Sequence, residues 1–271
     1  KLCIVDCPNI CHQRLVSPSL EELHLCRSSL FCNIDCCSLT SFHCQCEFAT
    51  SIQLQTWSLP ALKTLKIMCK SLTSIGGSTN LSLCTGTGSI RAFSSLSVLS
   101  ISHCDKLSTL DDLLTQEYLP SIEYIHVESC HELLSLPGER FRSFAYLKDL
   151  VVIECWSLNW QRGLVLPSSL RRLRLEWCGD ISPYVPSCLQ NLTSLVSLCI
   201  GGCQGITSIP GDIWSSNLAS LEELSILLCP DLVSFGGAEA VANIKDVEIC
   251  GCPNLANEEQ INRRSGPRYL C

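Results

Sequence analysis

Six residues between positions 32 and 46 have side chains that can bind a metal ion. They are Cys32, Cys36, Cys37, His43, Cys44 and Cys46. A structural zinc site usually takes its ligands from Cys or His pairs that are about two to four residues apart, as in CxxC. The spacing here does not follow that pattern. It favours free or buried thiols in a degraded repeat over zinc, and we assign no metal ligand.

Motifs for catalysis and nucleotide binding are absent or incomplete. His131 and Glu132 stand together in SCHELL, but the second His of HExxH is missing and no GxSxG nucleophile turn occurs. The glycine-rich stretch CTGTGSI lacks the Lys of a phosphate-binding GxxxxGKS or GxxxxGKT loop. We therefore predict no catalytic residue, no cofactor in this chain and no enzyme activity. An enzyme is the alternative from a different functional class.

Composition narrows the set of partners. The net charge is −7 and charged residues make up 17% of the chain, which argues against the broad basic face that phosphate backbones require. No apolar run approaches the roughly 18 residues that a membrane-spanning helix needs. We expect a soluble protein that binds neither nucleic acid nor the membrane interior.

One pattern recurs seven times between residues 96 and 255. Seven segments fit LxxLxLxxCxxL, and the second aliphatic residue of each returns after 23 to 26 residues, within the range of about 20–29 residues that defines leucine-rich repeats. These aliphatic positions are Leu99, Ile125, Leu150, Leu173, Leu198, Leu224 and Val247.

The LxLx core of each segment predicts a strand whose two aliphatic side chains share one face. Such a strand buries its apolar face only by stacking on its neighbours, so the repeats predict one parallel sheet. The fold class is an α/β repeat: a curved leucine-rich-repeat solenoid with the sheet on its concave side and mostly loops and short helical turns on its convex side. The position after each strand is predicted to hold a buried, unreactive thiol, at Cys7, Cys69, Cys104, Cys130, Cys155, Cys178, Cys203, Cys229 and Cys252.

The repeat domain is predicted to cover residues 1–256 with about ten units. It is irregular at 26–95, where a degraded unit lies around Ile34 and CCSLTSF, the segment 62–72 is one residue short before Cys69, and 74–90 is predicted to be a loop. Residues 257–271 lose the periodic leucines and are predicted to be a C-terminal tail or cap.

The strand positions that alternate with the buried aliphatics form the candidate surface for binding a protein. Their central members combine an aromatic ring, arginines and exposed aliphatic side chains, which is typical of binding hot spots. The candidate residues are Tyr124, His126, Glu128, Val151, Ile153, Arg172, Arg174 and Glu176. The alternative for any one of them is an ordinary solvated strand residue.

A second pattern follows the cysteine. CKSLTSI, CDKLSTL, CHELLSLP, CQGITSIP and CPDLVSF, with lead-ins such as LTSLVSL, resemble the leucine-rich-repeat region of plant intracellular nucleotide-binding disease-resistance proteins of the coiled-coil type. The resemblance covers most of the chain and is strongest from 91 to 256. It implies that the repeats sense pathogen effectors or modified host proteins and restrain an ATPase module that binds ADP or ATP. That module would lie upstream of Lys1, so we expect the chain to be a fragment.

The resemblance also implies a cytoplasmic location, which includes the nucleus or the inner face of the plasma membrane. The main alternative is the substrate-recognition repeats of an F-box ubiquitin-ligase subunit. Those repeats also carry Cys but tend to continue CxxITD, whereas this chain continues CxxLxS. Extracellular leucine-rich-repeat receptors carry Asn at the position after the strand, where this chain carries Cys.

Overall fold

The computed structural model describes residues 1–76, 93–160, 163–256 and 260–263. The chain divides into two compact units, Lys1–Pro137 and Gly138–Cys271, which we call unit 1 and unit 2. Each unit contains parallel strands that follow one another along the chain and few helical segments. The predicted parallel sheet is therefore confirmed within each unit.

Unit 1 has one main sheet and two small ones. The main sheet consists, in spatial order, of the parallel strands β1 (Leu2–Val5), β3 (Glu22–Ser28), β5 (Ser41–Cys46), β8 (Thr64–Met68), β10 (Val98–Ser102) and β11 (Tyr124–Glu128). The small sheets consist of β2 (Arg14–Val16), β4 (Asn33–Asp35) and β7 (Trp57–Ser58), and of β6 (Ser51–Gln53) and β9 (Ser74–Gly76). Short 3-10 helices occupy Ile10–His12 and Leu54–Thr56.

The structure corrects two boundaries in the irregular region. The strand of the degraded unit is β5, and Ile34 belongs to the separate short strand β4. The predicted loop at 74–90 begins with three residues of strand β9, and its residues 77–90 lie outside the described residues. Both differences involve the small sheets, since β4 pairs with β2 and β7, and β9 pairs with β6. The LxxLxLxxCxxL pattern describes only the strands of the main sheet and does not predict these pairings.

Unit 2 has a single sheet. Its parallel strands are, in order, β12 (Asp149–Ile153), β13 (Arg172–Glu176), β14 (Ser197–Gly201), β15 (Glu223–Leu227) and β16 (Asp246–Cys250). The last strand, β17 (Ile261–Arg263), runs antiparallel to β16. The helices α1 (Val185–Cys188) and α2 (Asp212–Ser216) and the 3-10 helices Gly138–Ser143 and Ala238–Val241 lie between strands.

Strand side chains alternate between a buried face and an open face in both sheets. The seven repeating aliphatics all lie on the buried face and are at most 1% exposed. The nine cysteines predicted at the position after each strand are called the slot cysteines below. Eight of them are also buried, and Cys7 is half-buried. Two effects raise the pKa of the Cys104 thiol far above its usual range. The larger is a hydrogen bond with Cys130, and the smaller is burial. This environment suits the small, unreactive thiol that the repeat pattern predicts.

A left-handed residue precedes most slot positions and turns the chain out of the sheet. These left-handed residues have φ angles between 45° and 69°, and they are Asp6, Arg27, His103, Ser129, Glu154, Trp177, Gly202, Leu228 and Gly251. In β5 and β8 this residue is missing. Cys46 is therefore the last residue of β5, Cys69 follows β8 directly, and the register of β3 with β5 shifts between Cys26 and Ser28. The segment 62–72 is one residue short because it lacks this turn residue.

The guanidinium of Arg263 on β17 lies where the chain leaves the 3-10 helix Ala238–Val241. Its Nη2 atom donates to the carbonyl oxygens of Val241 (2.9 Å), Ala242 (3.4 Å) and Ile244 (2.7 Å). Carbonyls at the end of a helix lack partners within the helix, and a cation there is favourable. β17 is thereby held by side-chain contacts as well as by its pairing with β16.

We expect Arg263→Ala to destabilise this end of unit 2 by about 1–2 kcal/mol, because charged hydrogen bonds to three carbonyls are lost. Faster hydrogen exchange of the β16 amides would measure the effect. Lys245→Ala is the control, since its 2.9 Å ion pair with Glu222 is largely exposed and should contribute little. Equal exchange rates in the two variants would contradict the role given to Arg263.

Candidate functional site

In unit 1 the open face of β11 carries three of the predicted partner-binding residues. Tyr124, His126 and Glu128 are all half-buried, and they lie in register with Val98, Ser100 and Ser102 of β10. The rings of Tyr124 and His126 meet edge to face, with centroids 6.1 Å apart. His126 Nε2 lies 3.3 Å from Glu128 Oε2. These contacts restrict the rotamers of all three side chains, which lowers the entropy lost when a partner binds.

In unit 2 the other five candidates lie on the open face of β12 and β13. Val151 is the register partner of Arg174, and Ile153 is the register partner of Glu176. Val151 and Ile153 are half-buried, so part of each aliphatic side chain remains accessible. Arg172 is the most open of the group, with 72% of its side chain exposed and an ion pair of 3.5 Å to Asp149. The predicted face therefore contains a freely accessible cation beside two apolar side chains.

Glu176 lies on this face but is buried, with only 9% of its side chain exposed. Arg174 on the same strand binds its carboxylate through two hydrogen bonds of 2.6 Å and 3.2 Å. The Cys199 thiol donates a third, at 2.9 Å. Gly201 makes room for this arrangement, because a Cβ atom there would lie 2.9 Å from Cγ of Glu176. Glu176 therefore holds Arg174 in place and is covered by it.

The alternating pattern places Cys199 and Gly201 on the open face but does not show that they surround Glu176. Cys199 is buried despite its outward position, since it lies between Arg174 and Ser225 in the register. A glycine at an outward strand position is the sequence feature that points to such a close approach. In this sheet the open face is partly filled by its own ionic cluster of Arg174, Glu176 and Cys199.

The far end of the same face is acidic. Glu223 and Asp246 are register partners, and Glu248 pairs with Ser225. Arg172 lies two strands away from Glu223, across Ser197. The open face of unit 2 therefore changes from arginine-bearing at β13 to anionic at β15 and β16.

The six Cys and His residues of segment 32–46 do not converge on one point. Cys44 and Cys46 face the core from β5, whereas His43 lies on its open face. Cys32 and Cys37 are exposed and donate to the backbone oxygens of Gln13 and Pro18. Within the part of the chain that the structure describes, no three His, Cys, Asp or Glu side chains are placed to hold a metal ion.

The His131–Glu132 pair of the incomplete HExxH motif lies on the surface of unit 1. His131 Nδ1 is 3.0 Å from Asp105 Oδ1, and half of the His131 side chain is exposed. This geometry is that of a surface polar contact between consecutive repeats. Separately, none of the helices in the described ranges has the length and apolar character needed to cross a membrane.

Comparison with known proteins adds a local match. The protein described as disease resistance protein RPP4 of Arabidopsis thaliana is 39% identical to this chain over 72 residues, which cover 27% of the chain and 6% of that protein. The match thus spans a small part of that relative. A solved structure, described as the crystal structure of a TLR13–ssRNA13 complex, aligns with 85% of this chain and 46% of that chain, at a TM-score of 0.34 and 15% identity. No protein-family model matches the chain.

The repeating LxxLxLxxCxxL pattern, the parallel strands of each unit and the local match to a resistance protein together define a leucine-rich-repeat-like chain. Such a chain is suited to recognition, because a regular scaffold presents side chains in columns that vary independently of the core.

Proposed function

We propose that this chain is the protein-recognition region of a plant intracellular immune receptor. In this proposal each unit is a stretch of leucine-rich-repeat solenoid whose open face is the concave, partner-binding side. The main support is the open face of each unit: Tyr124 presents an accessible aromatic group in unit 1, and Val151 and Arg172 present accessible apolar and cationic groups in unit 2. The match to a resistance protein supports the plant-defence context.

The proposed partner is a pathogen effector or a modified host protein, and a second, intramolecular partner is a nucleotide-binding domain that the repeats keep at rest. ADP or ATP would be bound by that domain, and we assign no catalytic or cofactor-binding role to residues of this chain. The proposed location is the cytoplasm. It is supported by the slot cysteines, eight of which are buried in the core as thiols, since reduced thiols persist in that compartment.

The test compares two sets of surface substitutions in the chain expressed in plant cells. The open-face variant carries Tyr124→Ser, His126→Ser, Val151→Ser and Arg172→Ser. Arg174 is left unchanged, because its loss would uncover Glu176. The control variant carries Tyr146→Ser and Val165→Ser, which are 62% and 42% exposed and lie outside the main strands.

We expect the amount of at least one co-purifying protein to fall roughly tenfold or more in the open-face variant. The reason is that truncating a hot-spot residue costs about 2 kcal/mol or more of binding free energy. Quantitative mass spectrometry of the purified complexes measures this. Circular dichroism checks that both variants remain folded. Identical partners in identical amounts for wild type, open-face variant and control would contradict the proposal.

A further inference from the structure

Two histidines lie side by side on the open face of unit 1. His24 on β3 and His43 on β5 are register partners on neighbouring parallel strands. Their ring centroids are 4.6 Å apart and the ring planes are tilted by 49°. Both side chains are partly accessible, and 25% of the His24 side chain is exposed. Lys66 and Ser100 separate this pair from His126 in the same column of side chains.

The separation of the rings fits two imidazoles that share one ion. Each metal–nitrogen bond is about 2.0–2.1 Å long, so two imidazoles in adjacent positions of one ion have ring centres roughly 4.5–5 Å apart. The observed 4.6 Å falls in that range. Because the backbones of β3 and β5 are fixed by their pairing, little chain entropy is lost when an ion joins the two side chains.

Charged groups lie on both sides of the pair. Glu22 Oε2 lies 3.7 Å from His24 Nε2 and 3.0 Å from Lys1 Nζ, so a carboxylate stands beside the pair. Lys66 is the register neighbour of His43 on the other side and opposes a cation. Burial, then the charges of His24 and Lys66, lower the pKa of His43.

We propose that His24 and His43 bind one divalent transition-metal ion, with water in the remaining coordination positions and Glu22 supplying a neighbouring negative charge. Imidazole nitrogen suits Ni²⁺, Cu²⁺ and Zn²⁺. The site goes beyond the proposed recognition function and does not depend on it. The sequence pattern predicts no metal at this place, because the two residues are 19 positions apart and match no ligand motif.

The probe is Ni²⁺ added as its chloride to the reduced chain, since the many thiols of this protein would bind Zn²⁺ and Cu⁺. Calorimetric titration gives stoichiometry and affinity for the wild type, His24→Gln, His43→Gln and the control His131→Gln. We expect one equivalent to bind the wild type and the control equally. Either variant of the pair should bind roughly tenfold or more weakly, because one of two metal–nitrogen bonds is lost.

A second measurement does not rely on the variants. In wild-type protein, paramagnetic Ni²⁺ should broaden the imidazole resonances of His24 and His43 first and leave those of His131 sharp.

Absence of binding, equal broadening of all imidazoles, or equal affinity in the wild type and both pair variants would overturn the proposal. So would a Cys3→Ser variant that alone abolishes binding, because the exposed thiol of Cys3, the register neighbour of His24, would then be the ligand.

Discussion

Gly179→Ala is expected to destabilise unit 2 strongly. Gly179 has a φ of +74°, and a Cβ atom there would lie 2.0 Å from the carbonyl oxygen of Leu158. The clash is with backbone, which cannot move aside as a flexible side chain would. A left-handed conformation costs an L-residue about 1–2 kcal/mol, and forced overpacking adds about 1–3 kcal/mol. We expect a total loss of roughly 2–5 kcal/mol in the free energy of unfolding.

Gly237→Ala separates these two contributions. Gly237 also has a positive φ, +86°, but no atom lies within 4 Å of the position that a Cβ would take. This variant should therefore lose only the conformational cost of about 1–2 kcal/mol. Urea unfolding of the two variants, followed by circular dichroism, gives the difference. Similar midpoints for Gly179→Ala and Gly237→Ala would show that the approach of Gly179 to Leu158 does not constrain the fold.

Arg174→Ala is expected to have the second-largest effect. It removes the bidentate partner of Glu176 and leaves a carboxylate that is 9% exposed, with the Cys199 thiol as the remaining donor among the residues that the structure describes. Breaking a buried ion pair on one side costs about 3–5 kcal/mol. A third of the Arg174 side chain is exposed, so solvent screens the pair and we expect about 2–3 kcal/mol, measured by urea unfolding.

Two control variants test the physical cause. Arg172→Ala should cost less than about 1 kcal/mol, because its pair with Asp149 has a 72% exposed guanidinium. Adding Glu176→Gln to Arg174→Ala should recover most of the lost stability, since no buried charge then remains. If Arg174→Ala were as mild as Arg172→Ala, Glu176 would be solvated in solution and open to a partner.

This ionic cluster changes the interpretation of the open face. In unit 2, Val151 and Arg172 are accessible to a partner, whereas Glu176 is buried and orients the guanidinium of Arg174. A substitution at Glu176 that alters partner binding would therefore be expected to do so by releasing Arg174. Glu176→Gln measured beside Arg172→Ala distinguishes the indirect effect from the direct one.

Much of the strand scaffold follows from the sequence by itself. The seven aliphatics recur every 23 to 26 residues, and the structure buries each of them on one face of the parallel sheet of its own unit. This succeeds because side chains alternate across a strand, so a period of two within each repeat decides which residues are buried. The buried slot cysteines follow from the same regularity.

Only the tertiary structure decided which outward residues are accessible and which contact one another. Glu176 and Arg172 occupy equivalent outward positions, yet one is buried because Gly201 leaves space for its carboxylate. His24 and His43 meet in the irregular region, where no repeating motif aligns them and only the pairing of β3 with β5 brings them together. The reason is physical: burial in a strand is set by local alternation, whereas contacts on the open face depend on side chains from neighbouring strands about twenty residues away.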